Sequence, residues 1–417
     1  MKPSKASLGR NFSLMVLGQI ISLFGTAILR FALSLYVLDI SGSATLFGGV
    51  LAAAMVPTVL LSPLGGVLAD RIPRQKIMYV LDFITAIAVW NFALFGRNGS
   101  VLPPAALLLA LSAISACYHP SVASAVPLLV EESQLTRANG LVSQVQALSG
   151  LLGPILGGMV YGFWGMGTIC LISAACFLAS AVMECFLRIP FVPQKSKGGA
   201  GAVLSDLREA GSFLSRSHLF PLLLSFAGTN LFLSSCYNVA VPYYVKITLG
   251  LSSQLYSLVE GAMALGNITG ALLVGILGSR LSYTRTWRYL LCSVTSLAAM
   301  ALTMAFVPFP MAAWVLILLS CLIGCLFAAL LSILTLSFFQ QMTPPNLLGK
   351  VSGFTTMVAT CAMPLGQGLY GILVAHLPPW SVFFLGFAAS LPLVAVVRRS
   401  MAGTPSIQTE NFSEDTV

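Results

Sequence analysis

Charged residues are scarce in this 417-residue chain, where they make up 8% of the positions while hydrophobic residues make up 57%. A soluble domain carries about 25% charged residues, because water must solvate its surface. A chain of this composition cannot cover a water-facing surface. We therefore expect it to reside in a lipid bilayer, and a soluble globular enzyme is excluded.

The residues that enzymes and metal sites use are few or scattered. The three histidines lie far apart, at His119, His218 and His376. The nine cysteines fall inside apolar runs without metal-ligand spacing, which is typical of small buried filler. No glycine-rich loop leads into a helix and a lysine, as a nucleotide site requires. We expect no metal, no cofactor, no enzymatic activity and no ATP-driven pump.

The net charge of +9 comes from basic residues that are dispersed between apolar runs. Eighteen of the 21 Lys and Arg residues lie in the terminal segments and the even-numbered loops; the opposite side has only Arg97 and Lys246, and Arg30 lies within a run. This bias predicts a multi-pass plasma- or inner-membrane protein with both termini in the cytoplasm. It does not predict a nucleic-acid surface, where basic residues would share one face.

Long apolar runs are what the sequence has most of. Each approaches the roughly 20 residues that a spanning helix needs. They lie near 12–38, 44–68, 76–96, 102–126, 138–163, 166–188, 219–245, 252–279, 286–307, 311–338, 347–375 and 378–397. The pattern predicts an all-α membrane protein with twelve transmembrane helices in two six-helix bundles.

The predicted domains follow from these runs. Residues 1–188 form the N-terminal bundle and residues 219–400 form the C-terminal bundle. Residues 189–218 predict a cytoplasmic linker with a short amphipathic helix on the inner membrane surface, and residues 401–417 predict a disordered tail.

The two halves repeat each other at an offset of 209 residues. Arg71 and Arg280 are separated by this offset, and so are Val142-Ser143 and Val351-Ser352. A long-period repeat whose halves begin on the same side of the membrane is typical of transporters built from parallel repeats. The second copy lacks one acid, because Asp70 corresponds to Ser279.

The loop between the second and third runs is short and basic. It contains Gly66, Asp70, Arg71, Arg74 and Lys76, in the order G-x-L-x-D-R-x-x-R-x-K. Taken alone, it is a cytoplasmic loop whose positive charge sets the topology. The order of residues is more specific, and it resembles the signature loop after the second helix of the major facilitator superfamily.

The fifth run contains Gly150, Gly153, Pro154, Gly157 and Gly158. One interpretation is a kinked packing face, since small residues let membrane helices approach closely. The order G-x-x-G-P-x-x-G-G also resembles the antiporter signature of major facilitator exporters, which implies export. Residues 363–368 in the eleventh run resemble a diverged partner of this motif.

A narrower resemblance extends from about residue 10 to residue 398. The segments that carry it are 18–22, 27–29, 42–44, 65–78 with Asp82, 127–130 and 134–136. They are similar to the macrolide-efflux branch of drug:proton antiporters. The resemblance implies proton-driven export of small amphipathic compounds such as macrolide-type drugs. A siderophore or metabolite exporter, or an uncoupled facilitator, stays open as an alternative. Such transporters often carry an arginine in the fourth helix, and the corresponding place near Leu111 has none.

The expected partners are a small-molecule substrate, protons and the lipid bilayer, and we expect a monomer. Ionisable residues inside a membrane are functional candidates by default. Glu260 lies eight residues into its run and is the predicted proton-coupling residue; a hydrogen-bonded structural acid is the alternative. Arg30 near the outer end of its run either attracts an anionic group or extends outward to water.

Two further carboxyl groups are expected near the inner ends of their runs. Asp82 is predicted to join the charge network of the basic hairpin, and Glu184 is predicted to pair with Arg188 four residues on. The residues predicted to face a substrate cavity are Gln19, Arg30, Asn230, Tyr237, Asn238, Met263 and Asn267.

Overall fold

The computed structural model of the chain describes residues 9–190, 200–217, 219–277, 281, 285–344 and 347–402. Within these ranges the protein is helical, with no β-strand. The helices are α1 (Arg10–Ser41), α2 (Ala44–Arg71), α3 (Arg74–Phe95), α4 (Leu102–Leu129), α5 (Leu135–Cys185), α6 (Ala200–Arg216), α7 (Phe220–Thr248), α8 (Ser253–Leu277), α9 (Thr286–Phe306), α10 (Pro310–Met342), α11 (Leu348–His376) and α12 (Pro379–Ala402). A short 3₁₀ turn, Glu132–Gln134, precedes α5.

Eleven of these helices, all except α6, are long and apolar enough to cross a membrane. The prediction of an all-α membrane protein is confirmed. Local residues explain the helix ends. Gly42 ends α1 with a φ of 57°, and the Ser43 hydroxyl accepts the Leu46 N–H at the start of α2. Glycine adopts positive φ without a steric penalty, and serine satisfies a free N–H at a helix start.

The predicted fifth and sixth runs lie in one stretch of 51 residues, which consists of two helices joined by a kink, and the kink lies between the predicted runs 138–163 and 166–188. A straight helix of that length would extend about 77 Å at 1.5 Å per residue, well beyond the roughly 30 Å of a hydrocarbon core. The helix is broken at Gly165, whose φ of 75° and ψ of 179° are not helical. No polar loop marks this break, since its neighbours are Trp164 and Met166.

The two parts of α5 run in opposite directions past α1. In the first part, a Cβ added at Gly153 would meet Ala27, and one at Gly157 would meet Ile28 and Phe31, so its numbers rise with those of α1. In the second part Cys176 lies against Gly25 and Glu184 lies against Gly18, so its numbers fall as those of α1 rise. The chain therefore reverses direction at Gly165.

The helices form two groups by contact. Helices α1 to α5 pack on one another, α7 to α12 pack on one another, and α2 with α11 and α5 with α8 join the groups. The largest hydrophobic cluster contains residues of both groups, such as Leu29 and Tyr370. Two smaller clusters each belong to one group, around Met78 and around Leu290. The core is thus shared by the groups at one end of the molecule and divided between them at the other.

The helix α6 lies where the amphipathic segment was predicted, but it contacts protein as well. Ala210 and Leu214 are fully buried in the cluster of the second group, and Lys350 of α11 forms an ion pair with Glu209 at 2.6 Å. The preceding linker residues 191–199 and the predicted tail from residue 403 onward lie outside the described residues. The segment therefore belongs structurally to the second group of helices.

Candidate functional site

The polar and glycine contacts between the two groups are concentrated away from the hairpin that joins α2 to α3. We call the end with that hairpin the hairpin end, and the end with residues 42–43, 96–101, 165 and 249–252 the far end. Thr45 in α2 donates to the Gly371 carbonyl of α11 at 3.1 Å. A Cβ on Gly48 would lie 2.6 Å from the Gln367 carbonyl oxygen. Among the described residues, these close approaches hold the groups together toward the far end.

An ion pair also joins the groups at the far end. The Lys246 Nζ of α7 lies 2.5 Å from one Asp39 oxygen of α1 and 2.7 Å from the other. Tyr161 in α5 donates to Asp39 at 2.8 Å, and Lys246 donates to Ser253 in α8 at 2.8 Å. Sequence reasoning missed this cluster. The sequence did contain a signal for it. Asp39 and Lys246 are 207 residues apart, and they lie in the last turns of α1 and α7, which are corresponding helices of the repeat.

The glycine-proline motif of α5 lies between α1 and α8. Gly153 and Gly157 face α1, while a Cβ on Gly158 would lie 2.3 Å from the Ser257 Cβ of α8. Gly150 has open space beside it, and Pro154 lies inside the helix. Three of the four glycines therefore lie at close helix contacts, one of them between the groups.

A cavity of about 340 Å³ lies among α7, α8 and α10. Its polar lining includes Asn230, Ser234 and Asn267, and Phe226 adds an aromatic ring. Asn230 begins a π-helical turn in α7, and the Ser235 hydroxyl bonds both the Asn230 carbonyl and the Met363 carbonyl of α11. The structure thus brings together two of the predicted cavity residues.

The other predicted cavity residues of the second group lie elsewhere. Asn238 is half-buried and donates to the Ser234 carbonyl at 2.7 Å, one turn back in α7. Met263 is buried in the main hydrophobic cluster. Tyr237 is also buried there, with its hydroxyl bonded to Ser296 of α9, so it lies inside its bundle and not on this cavity.

Glu260 lies in α8, half-buried, and accepts a hydrogen bond from the Tyr256 hydroxyl. The Tyr256 ring stacks on Phe31 of α1, with centroids 5.6 Å apart and planes 7° apart. The carboxyl group is therefore one side chain away from the other group of helices. That connection depends on the register between α1 and α8, which the sequence did not reveal.

Arg30 does not extend outward to water, as one of its two interpretations expected. Its guanidinium donates to the Ser112 hydroxyl of α4 at 2.6 Å, while its Nε is buried and has no acceptor. Ser112 directly follows Leu111, the place in the fourth helix that lacks an arginine. A cation from α1 thus reaches that part of α4.

Asp82 and Glu184 occupy one buried polar cluster, which corrects the predicted pairing of Glu184 with Arg188. Asp82 accepts from Ser22 of α1 at 3.1 Å, with no basic hairpin residue among its hydrogen-bond partners in the described part of the chain. Glu184 accepts from Tyr118 of α4 at 2.6 Å. Its predicted partner Arg188 is exposed, because α5 ends at Cys185 and the helical spacing no longer applies.

Gln19 belongs to the same buried cluster and not to an open cavity. Its side-chain amide donates to the Tyr118 hydroxyl at 3.0 Å. Gln19, Tyr118 and Glu184 thus form a chain of hydrogen bonds across α1, α4 and α5. The tyrosine was not singled out from the sequence, since a tyrosine in an apolar run is more often plain packing.

The basic hairpin contacts its own group of helices. The Arg74 Nε donates to Ser124 of α4 at 2.7 Å, and the Gln75 amide donates to the Cys185 carbonyl at 3.1 Å. Arg71 is exposed. The surroundings of Gly66 and the side chain of Asp70 lie outside the described part of the structure, so the predicted roles of both residues stay predictions.

The chain is similar to known transporters along most of its length. The family model of the Major Facilitator Superfamily matches residues 15–367 and, in a second match, residues 229–408. Macrolide efflux protein A of Streptococcus pyogenes is 27% identical over 353 residues, which cover 84% of this chain and 85% of the relative. The enterobactin exporter EntS of Salmonella typhi is 26% identical over 347 residues, covering 81% of this chain and 77% of the relative.

A solved structure shows the same fold. A bacterial homologue of the iron transporter ferroportin, in an inward-facing state, superposes with a TM-score of 0.72 over 95% of this chain and 100% of that chain. Its sequence identity is 19%, so the likeness concerns the fold alone. These relatives are transporters and not enzymes, and several are efflux proteins.

Proposed function

Because this chain belongs to the Major Facilitator Superfamily, we propose that it is a proton-coupled exporter of small amphipathic compounds, such as macrolide-type drugs, that works by alternating access. The two parts of α5 count as separate spans in this proposal, which makes twelve transmembrane helices in two six-helix bundles. The charge bias of the loops supports a cytoplasmic hairpin end and cytoplasmic termini. The far end then faces outward, and the contacts described there favour a state that opens toward the cytoplasm.

The observation that carries the proposal is the position of Glu260. Its partner Tyr256 stacks on Phe31 of the other bundle, so separating the bundles at the far end must disturb the hydrogen bond to the carboxyl group. A carboxyl group whose surroundings change with access can take up a proton in one state and release it in the other. Substrate export and proton entry are then two directions of one conformational cycle.

The substrate cavity supports an amphipathic substrate. Its lining combines neutral polar groups with an aromatic ring and apolar side chains, with no charged residue among the described residues that line it. Neutral amides and hydroxyls fix orientation while apolar groups bury most of a ligand. Asn230 and Asn267 are the proposed substrate contacts in this cavity.

A siderophore exporter is the second candidate. The observation that favours it is Arg30, a membrane-embedded cation with an Nε that has no acceptor. An anionic group of a substrate could accept from it. An accumulation screen with macrolides and siderophores, in cells with and without the protein, separates the two candidates by which compound is retained less when the protein is present.

The deciding experiment for proton coupling uses proteoliposomes, a fluorescent substrate and an imposed pH step. We expect the wild type to accumulate substrate in response to the step and Glu260→Gln to bind substrate without accumulating it. Glu131→Gln is the matched control, since Glu131 is exposed between α4 and α5. If Glu260→Gln still accumulates substrate in response to the step, Glu260 is structural and the coupling group lies elsewhere.

A further inference from the structure

A second pair of membrane-embedded carboxyl groups lies outside the proposed substrate cavity. Asp82 on α3 is 2% exposed and Glu184 on α5 is fully buried. One oxygen of each carboxyl group accepts a hydrogen bond: Ser22 donates to Asp82, and Tyr118 donates to Glu184. The second oxygen of each is buried and has no partner.

No cation among the described residues donates a hydrogen bond to either acid, whose bonded oxygens accept from Ser22 and Tyr118 and whose other oxygens have no partner. On α1, Arg10 is exposed and Arg30 bonds Ser112. The titratable groups beside the pair on α4 are Tyr118 and His119. Two buried carboxylates without a counterion carry a desolvation cost and repel each other, and binding one proton removes one of the two charges and the repulsion between them.

The second bundle shows that packing does not require these acids. A Cβ on Gly18 would lie 3.5 Å from the Glu184 Cγ, and a Cβ on Gly228 would lie 2.5 Å from the Leu393 Cδ1. Leu393 follows Glu184 by the repeat offset of 209 residues and Gly228 follows Gly18 by 210, so a leucine makes a closely similar helix contact in the other bundle, one residue from the exact equivalent. The position corresponding to Asp82 is Leu291, and both leucines pack against one hydrophobic cluster.

A small polar cavity lies beside Asp82. Its volume is about 30 Å³, which is close to the share of one water molecule in the liquid. Its polar lining comes from three helices and includes Ser22, Asp82, Thr85, Ser115, Tyr118 and His119. His119 lies at the surface of the protein, so the lining extends from the buried acid to the outer face of α4. A water molecule here would have the polar partners that it needs to pass a proton.

We propose that Asp82 and Glu184 form a second proton-binding site, in which the pair holds one proton at neutral pH. The proton comes from hydrated protons in the small cavity and returns to water there when the site is emptied. The site deepens the proton antiport proposed above and rests on it only for its role in transport. Proton binding itself is measurable without transport.

Infrared spectroscopy of the purified protein tests the site, because the C=O stretch of a protonated carboxyl group is separate from carboxylate bands. The reference is Glu260→Gln, which removes the other membrane-embedded acid. We expect this variant to retain a protonated carboxyl band at neutral pH, with an amplitude of one proton per protein. Adding Asp82→Asn and Glu184→Gln should remove the band, whereas adding Glu131→Gln should leave it unchanged.

The contrary outcomes are distinct. If Glu260→Gln shows no such band, the pair is ionised and the proposal is wrong. This test leaves Asp82 and Glu184 unchanged, so misfolding caused by substitutions at the pair cannot affect it. If the band appears only when sodium is replaced by choline, a metal cation and not a proton neutralises the pair, which also overturns it. A band that behaves as expected supports the site even if Glu260→Gln still accumulates substrate in proteoliposomes, so the two proposals fail separately.

Discussion

The two bundles place their carboxyl groups at different points of the same architecture. Glu184 of the first bundle lies against Gly18, whereas its repeat equivalent Leu393 lies against Gly228, one residue beyond the equivalent of Gly18. Conversely, Glu260 of the second bundle corresponds to Leu51 of the first, which packs against the main core. Each bundle thus has leucine where the other has an acid. The packing that the two bundles share does not require these acids, so we infer that the acids have a role other than packing.

The largest effect is expected from making the second bundle resemble the first. Leu393→Glu places a carboxyl group at a half-buried position that packs against a hydrophobic cluster, where the described residues include no hydrogen-bond donor comparable to Tyr118. We expect a loss of folded protein of more than about tenfold, since an unpaired buried polar group costs several kcal/mol and about 1.4 kcal/mol is already tenfold. Fluorescence-detected size exclusion measures it, with Leu393→Met as the control. Wild-type yield of Leu393→Glu would contradict the comparison.

The hairpins differ as well, because only the first has an acid. We expect Asp70→Asn to keep its expression but to lose transport, since Asp70 and Arg71 are predicted to lock the hairpin end of α2 against α11 in the outward-open state. The matched control is Ser279→Ala at the corresponding place of the repeat, which should transport like the wild type. Drug accumulation in cells measures both, and full activity of Asp70→Asn would refute the lock.

The ion pair between the bundles offers a test of intermediate size. Lys246→Met removes the bond to Asp39, and we expect the far end to open more often. The readout is thiol labelling of Ser257→Cys, a fully buried position between α8 and α5, after replacement of the nine native cysteines. Labelling should be about fivefold to thirtyfold faster, which corresponds to one or two kcal/mol.

The control for this labelling is Arg97→Met. Arg97 is the other basic residue at the far end, and its Nε donates to the Ala93 carbonyl of its own helix. Its removal should not change the labelling rate. Equal rates for Lys246→Met and wild type would show that the ion pair does not hold the far end closed.

The smallest effect is expected from the two glycines. Gly228→Ala brings a Cβ to 2.5 Å from the Leu393 Cδ1, whereas Gly18→Ala makes an ordinary contact at 3.5 Å with Glu184. We expect Gly228→Ala to destabilise the protein by about 1 kcal/mol, since a tight core must shift to admit a methyl group. Gly18→Ala should change less. The thermal unfolding midpoint of each variant measures the effect. A larger decrease of the midpoint for Gly18→Ala than for Gly228→Ala would contradict the expectation.

The helices were predictable because each apolar run carries its own length and end signals. The predicted start of the third run, residue 76, differs from the start of α3 at Arg74 by two residues. The predicted boundary between the fifth and sixth runs, residues 164–165, contains Gly165, where the chain reverses without a polar loop. Glycine permits that reversal because it adopts a positive φ without a steric penalty.

The site was less predictable, because partners come from helices far apart in sequence. Glu184 and Arg188 share a spacing that implies a helical pair, but the helix ends between them, and the buried acid bonds Tyr118 instead. The sequence predicted that Arg30 lies near the outer end of its run, but it could not predict where the side chain points. That direction depends on the neighbouring helix α4, whose Ser112 accepts its hydrogen bond. Asn230 and Asn267 line one cavity only because α7 and α8 pack together there.

The sequence by itself determined the membrane location, the helical segments and the repeat, because apolar runs of spanning length leave the backbone only one way to satisfy its hydrogen bonds in lipid. It also determined the family, through short motifs whose residues are adjacent. The tertiary structure alone decided that Asp82 shares a buried cluster with Glu184, that Lys246 reaches Asp39 and that Tyr256 connects Glu260 to the other bundle. Those contacts depend on how each helix is rotated and shifted against its neighbours. That arrangement is determined by many residues that are far apart in the sequence.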